Sequence, residues 1–325
     1  MAAPSSMPSR PGHLLLICHD LQAASLAGSR RARTFIKYLS QAGWRLTVVT
    51  TAADPGPIPG SVADLVEIHP VPVEFGGPTW RKVWRRLIYT PDPYAQWLPK
   101  AWPVLQEICR QRRPDVVLVT TPPHSLQALG VRLHRELGLP FVADFRDDWT
   151  TNHQARWRTP WHRWTALRQE AECVAHANRV LLNTDEVHRR FAARFPARAS
   201  VLSVLTNGYD EDDFRDAVPS TPPSPEQRLR IYYAGASHGS FLERQLGALA
   251  TELTALGLQD RWEIVSLGAG AWQGRGQPPI WRHLGTLSSA EAARELDHAA
   301  VLLLPMPPGE REPSGTVPLK TYSYL

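Results

Sequence analysis

The chain has 325 residues, 43% hydrophobic and 21% charged, which excludes a disordered or collagen-like chain as a whole and allows two domains of ordinary size. A net charge of +5 favours anionic partners, nucleotide phosphates or lipid headgroups, and no recognised nucleic-acid-binding module is present. Cys18, Cys109 and Cys173 form no CxxC pair and the apolar run Leu14 to Cys18 is too short to be a signal peptide or a span, so we expect reduced thiols and a cytoplasmic protein that does not cross a membrane.

Along the chain, HLLLIC (13–18) is a short apolar run of the buried-strand kind. RRARTFIKYLSQAG (30–43) carries apolar residues at helical spacing and stops at Gly43, and the β-branched RLTVVTT (45–51) follows as a strand. The unit is βαβ. It recurs as strand PDVVLVTT (114–121), helix SLQALGVRLHRELG (125–138) and strand PFVADF (140–145), with NRVLLNT (178–184) and ASVLSVLTNG (199–208) completing the first half. Residues 209–229, acidic and then Pro/Ser-rich, read as a linker. A second alternating set runs through strand RIYYAG (230–235), helix 241–257, strand RWEIVSLG (261–268), a helix over 288–299 with Ser288 and Glu291 as its capping box, and strand VLLLPM (301–306). The expected fold is therefore α/β, with doubly wound sheets and ligands at the carboxyl ends of strands, over an N-terminal domain of residues 1–208 and a C-terminal one of 230–325. The last residues, PSGTVPLKTYSYL, look like a loop entering a helix that stops in its first turns at Leu325, so the second domain is expected to be incomplete.

Four constellations follow predicted strands. Ala27-Gly28-Ser29-Arg30 offers a close backbone approach and helix N-terminal N–H groups to a phosphate, to which Arg30 or Arg31 could add charge, or is a Ser-capped helix start. Thr120-Thr121-Pro122-Pro123-His124-Ser125 places His124 between a proline turn and a helix start, where it either handles a proton or serves as a solvent-facing or capping residue. Asp144-Phe145-Arg146-Asp147-Asp148-Trp149 crowds three carboxylates and an arginine at a strand end, as cleft chemistry or as a structural Arg–Asp pair with a helix cap. Finally, Tyr233 to Gly239, with Gly235 and Ser237, and Glu312 to Lys320, with Gly315, Thr316 and Val317, are small-residue loops suited to a diphosphate, which Arg244 and Lys320 could neutralise; ordinary strand-to-helix turns are the alternative.

In this order, these segments carry a resemblance that periodicity does not supply. LPFVADFRDDW is similar to the "DFRDPW" signature of a subset of family-4 glycosyltransferases, with Asp148 where proline is usual. VTTPPHS, VLTNGYDEDDF, IYYAG and TVPLKTYSYL resemble further segments of that family, from about Leu14 to Leu325. The resemblance implies a GT-B transferase of hexosyl type with two Rossmann-like domains: a glycan or lipid-linked acceptor on the first and a nucleotide-sugar donor on the second. It also implies retention at the anomeric carbon, no cofactor, no obligatory metal, and a place in surface polysaccharide or glycolipid assembly. It carries donor contacts onto Gly28, Gly235, Ser237, Arg244, Thr316, Val317 and Lys320, and acceptor-side polar groups onto His124 and Asp147, with Asp144 and Arg146 beside them. One departure concerns the carboxylate that holds the donor ribose: in one register its place is Ser323, in the other Glu312 is the first glutamate and Lys320 stands where the second would be.

The stretch Thr79 to Tyr89 interleaves cations with large aromatics, as do Trp157, Arg158, Trp161, Arg163 and Trp164. That pattern predicts peripheral contact with an anionic membrane; an amphipathic helix with its tryptophans packed inward is the alternative. Two other functions stay open: a catalytically inactive module that binds a nucleotide or a partner, and a sugar-nucleotide epimerase on the same architecture.

Overall fold

The computed structural model describes residues 12–21, 27–51, 56, 60–73, 75–76, 78–151, 157–210, 212, 228–235, 240–268, 278–287, 289–305 and 321. The chain divides between Asn207 and Gly208 into two compact units.

The first unit is built on a seven-stranded sheet: β1 (His13–Cys18), β2 (Arg45–Thr50), β3 (Val66–Pro70), β4 (Val116–Thr121), β5 (Phe141–Phe145), β6 (Arg179–Leu182) and β7 (Leu202–Val204). Their spatial order is β3-β2-β1-β4-β5-β6-β7, and every pairing is parallel, with Leu14 opposite both Leu46 and Val116. Strands buried on both faces must be apolar throughout, which is why β1 and β4 read as continuous hydrophobic runs. Successive side chains alternate between two cores. Leu15, Ile17, Val117, Val119 and Phe141 enter one, while Leu14, Leu16, Cys18 and Leu118 enter the other.

The second of these cores is closed by α1 (Ala27–Gln41) through Ala32 and Ile36. The first is closed by α3 (Leu98–Gln111), α4 (Gln127–Leu137), α5 (Pro160–His176) and α6 (Asp185–Arg194). In α3, Ala101, Leu105 and Ile108 recur at i, i+4 and i+7 and are buried; that stripe outweighs the hydrogen bond lost at Pro103. Thr159 and Thr184 cap α5 and α6 by accepting from His162 N and Val187 N, and Asp185 and Glu186 complement the α6 dipole. Gly130 lets α4 approach β5: a Cβ there would lie 2.1 Å from the Phe141 ring.

The second unit carries a four-stranded parallel sheet in the order β10-β9-β8-β11. Its strands are β8 (Leu229–Ala234), β9 (Trp262–Leu267), β10 (Trp281–His283) and β11 (Val301–Leu302), with α7 (Ser240–Ala255) and α8 (Ser289–Asp297) between them. Ile231 and Tyr233 pack into one core with Leu246 and Ala250 of α7, and Tyr232 into another with Val265 and Leu267. The Tyr232 hydroxyl donates to Glu295 Oε2 at 2.8 Å; burial, and then that carboxylate, push its pKa up to about 12.

Several boundaries differ from the sequence reading. Ala27 to Arg30 form the first turn of α1 instead of a loop before it. Among the described residues, the run expected as a strand over 301–306 is strand only at Val301 and Leu302. The elements β3, α3, α6 and β10 were not anticipated. Most of the 209–229 segment and Ser288 of the expected capping box lie outside the described residues.

Candidate functional site

At the carboxyl end of the first sheet, polar side chains fall into a structural group and a second group with buried unpaired atoms. The structural group centres on Asp144, fully buried at the end of β5. Arg31 donates from Nε to its Oδ2 at 2.9 Å and from Nη2 to its Oδ1 at 2.6 Å, and Thr120 Oγ1 donates to Oδ2 at 2.7 Å. The same guanidinium reaches Leu205 O, Thr206 O and Asn207 Oδ1, so α1, β4, β5 and the chain leaving β7 meet on one arginine. Bidentate, charge-assisted bonds of this kind fix geometry as well as energy.

The loop after β5 has its own framework. Asp148, buried, accepts from Thr151 Oγ1, with Arg190 at 3.9 Å. Glu170 of α5, also buried, accepts from Thr150 N and Oγ1 and pairs with Arg194 at 2.6 Å. Burial raises the Glu170 pKa against the pull of Arg194 and Thr150. On the other side, Asp92 accepts from Tyr94 N, Ser125 N and Ser125 Oγ at 2.8–2.9 Å and so ties the proline loop to residues 92–94. Burial holds the Asp92 pKa above its usual value despite those bonds.

Between these frameworks lie His124, Arg146, Asp147 and His19. The His124 ring stacks on Trp149, centroids 4.8 Å apart and planes within 5°, and lies 6.3 Å from the Phe145 ring. Burial, and then the Arg146 charge, drive its pKa down to about 3, so the imidazole is neutral near pH 7. His19 bonds Thr51 Oγ1 through Nδ1 at 2.5 Å and meets the Tyr94 ring edge-on at 4.3 Å. Its pKa is lowered by burial, and Arg146 adds to that. Arg146 donates from Nη2 to Asp147 Oδ2 at 3.1 Å. Its Nη1, like His124 Nδ1, is buried with no hydrogen-bond partner. One guanidinium and two neutral imidazoles can orient hydroxyls and stabilise negative oxygen; an imidazole of pKa about 3 is not a standing proton donor at neutral pH.

The His124 pKa sets a pH dependence. A histidine with a folded pKa below its unfolded 6.5 contributes stability that is complete above 6.5 and is lost as pH falls from 6.5 through about 3. His124→Phe keeps a ring against Trp149 and removes the titration. The melting temperature of the variant is therefore expected to fall less between pH 7 and pH 4 than that of the parent; equal slopes would refute the assignment.

Of the other residues singled out by sequence, Gly28, Ser29 and Arg30 lie in the first turn of α1, with Ser29 fully buried. Gly235 follows β8 with φ 151°, in a conformation side-chain-bearing residues rarely adopt, and its N–H is already donated to Leu267 O at 2.7 Å. Arg244 is exposed on α7. Ser237, Glu312, Gly315, Thr316, Val317, Lys320 and Ser323 lie outside the described residues. Sequence reasoning offered Arg31 only as charge for a phosphate and missed Asp92, His19 and Glu170; a charged residue on an otherwise apolar helix face is the one signal Glu170 offered. Among the described residues no group of three or more His, Cys, Asp or Glu could hold a metal ion, and no helix is long and apolar enough to cross a membrane.

Two Rossmann-like parallel sheets, one in each unit, are the GT-B fold class. The chain belongs to the glycosyl transferase 4-like domain family, whose profile matches residues 27–208, more than half its length. Among solved structures, sucrose-phosphate synthase from Thermosynechococcus elongatus is similar at 14% identity and TM-score 0.61, over 90% of this chain and 74% of that one. WaaG, a glycosyltransferase involved in lipopolysaccharide biosynthesis, is similar at 13% identity and TM-score 0.59, over 90% and 74%. Arabidopsis thaliana UGT89C1 complexed with UDP-L-rhamnose is similar at 13% identity and TM-score 0.56, over 92% and 81%. No curated protein matches in sequence.

Proposed function

We propose that this glycosyltransferase moves a sugar, with retention at the anomeric carbon, from a nucleotide-sugar to a glycan or lipid-linked acceptor in surface polysaccharide or glycolipid assembly. It belongs, on this reading, to the DFRDPW-type subset, needs no metal or other cofactor, and works in the cytoplasm against the membrane face. The observation that carries the proposal is the cluster of His124, Arg146 and Asp147 at the carboxyl end of the first sheet, inside the family match, with buried donor-capable atoms on His124 and Arg146 left without partners. Buried polar atoms are paired in the great majority of folded cores, and each unpaired one calls for an explanation such as a catalytic role or a bound water or ion. That UGT89C1 was solved with UDP-L-rhamnose, and that WaaG serves lipopolysaccharide biosynthesis, supports a nucleotide-sugar donor and a surface-glycan acceptor by analogy of fold.

Chemically, departure of a nucleoside diphosphate concentrates negative charge on phosphate oxygen, and preorganised N–H groups and cations lower that barrier. On this division of labour the first unit orients the acceptor through His124, Arg146 and Asp147, with Asp144 held as their foundation. The donor is held by the loop at Gly235 and Ser237, by Arg244, by Glu312 to Lys320 and by Ser323. Since the Gly235 N–H is occupied, that residue acts by permitting close approach.

Calorimetry with UDP-, GDP- and dTDP-sugars is the direct test. Micromolar binding of one base, weakened at least about tenfold in Lys320→Ala, a lost charge-assisted phosphate contact, with transfer unchanged by EDTA, is the expected result. Binding of no donor would overturn the enzyme reading in favour of a non-catalytic module, and EDTA-sensitive transfer would overturn metal independence.

A further inference from the structure

Helix α2 (Thr79–Ile88) presents large apolar side chains outward, where a helix of a soluble domain presents polar ones. Trp80, Trp84, Leu87 and Ile88 follow at i, i+4, i+7 and i+8, a single face, yet they are 58%, 56%, 44% and 63% exposed. A cation of this helix bonds back to the protein. Arg85, on another side of the helix, donates from Nη2 to Phe75 O at 2.6 Å and from Nη1 to Gly76 O at 3.1 Å, with its guanidinium 5.9 Å over the Phe75 ring. The alternative, that the tryptophans of this stretch pack inward, does not hold for Trp80 and Trp84, although Trp157 of the second aromatic stretch does pack against the core.

We infer that α2 is a docking element that lays Trp80, Trp84, Leu87 and Ile88 into the interface of an anionic phospholipid bilayer. The inference rests on the proposed lipid-linked acceptor, for which it supplies the surface. Charge selects the occupant. The helix carries Arg81, Lys82, Arg85 and Arg86 and no carboxylate, so it complements an anionic lipid surface. A second copy of the chain would bring two such cationic helices together. Tryptophan beside cations is also the composition that partitions to the headgroup region. The stacked pair Trp161 and Trp164 of α5, rings 5.0 Å apart and 59% and 49% exposed, shares that composition and provides an internal comparison.

The test is flotation of the full chain with phosphatidylcholine vesicles, with and without about 30% phosphatidylglycerol, at about 0.1 M and about 1 M salt, where the screening length falls from about 10 Å to about 3 Å. The chain should float with the anionic vesicles at low salt. Trp80→Ser/Trp84→Ser should lower partitioning about tenfold or more at unchanged melting temperature, and Lys82→Glu should weaken it at low salt. Nucleotide-sugar affinity measured on the same preparations should not move. Absence of flotation, equal flotation of the double variant, loss only in Trp161→Ser/Trp164→Ser, or self-association in place of lipid binding would each overturn the assignment to α2. Loss of donor binding by the parent chain would instead count against the transferase reading.

Discussion

Asp144→Ala is expected to destabilise the first unit by about 3–5 kcal/mol, because it leaves the buried Arg31 guanidinium without its counter-charge. A domain has about 5–15 kcal/mol in total, so the urea midpoint should drop by roughly 1 M or more. Asp144→Asn keeps an acceptor for Thr120 and should lose less. Arg135→Ala, which breaks the exposed pair with Glu172, is expected to stay within about 1 kcal/mol of the parent. If Asp144→Ala unfolds at the parental urea concentration, the Arg31 junction does not hold the four elements together.

Arg146→Ala should do the opposite: little change in stability and a fall in transfer of about 10², the order of loss when a group that positions a reactant is removed. Two arginines thus separate by their partners. Arg31 is committed to Asp144 and three further oxygens, whereas the Arg146 side chain pairs with its neighbour Asp147 and keeps Nη1 unbonded. On the proposed reading, donor affinity in the variant stays within about threefold of the parent, since Arg146 belongs to the acceptor-side unit; such small changes are below the value of one charged hydrogen bond. A parental rate in Arg146→Ala would remove it from the chemistry, and lost donor binding would move it to the donor site.

The α/β class was legible because β1, β4 and β5 are buried on both faces and therefore apolar without alternation, and because α1 and α4 show helical spacing ending at Gly43 and Gly138. The edge strand β3 was not, since VEIHP is half-polar and only partly buried. Helix α3 was obscured by Pro99 and Pro103, whose local cost is overridden by packing against the core. The DFRDDW cluster stood out as a charged run after an apolar strand, but nothing in its order separates Asp144, locked under Arg31, from Asp147, which is partly exposed beside Arg146.

By itself the sequence determined the βαβ alternation, the positions of the central strands and the segments from which polar residues gather, because hydrophobic period and strand burial are local properties of the chain. Only the tertiary structure decided which arginine is buried and committed, that His124 is neutral against Trp149, that Asp92 anchors the proline loop, and that α2 turns its tryptophans outward. Those outcomes depend on partners far away in sequence. Arg31 and Asp144 are 113 residues apart, and no local pattern encodes what a distant carboxylate does to a charge.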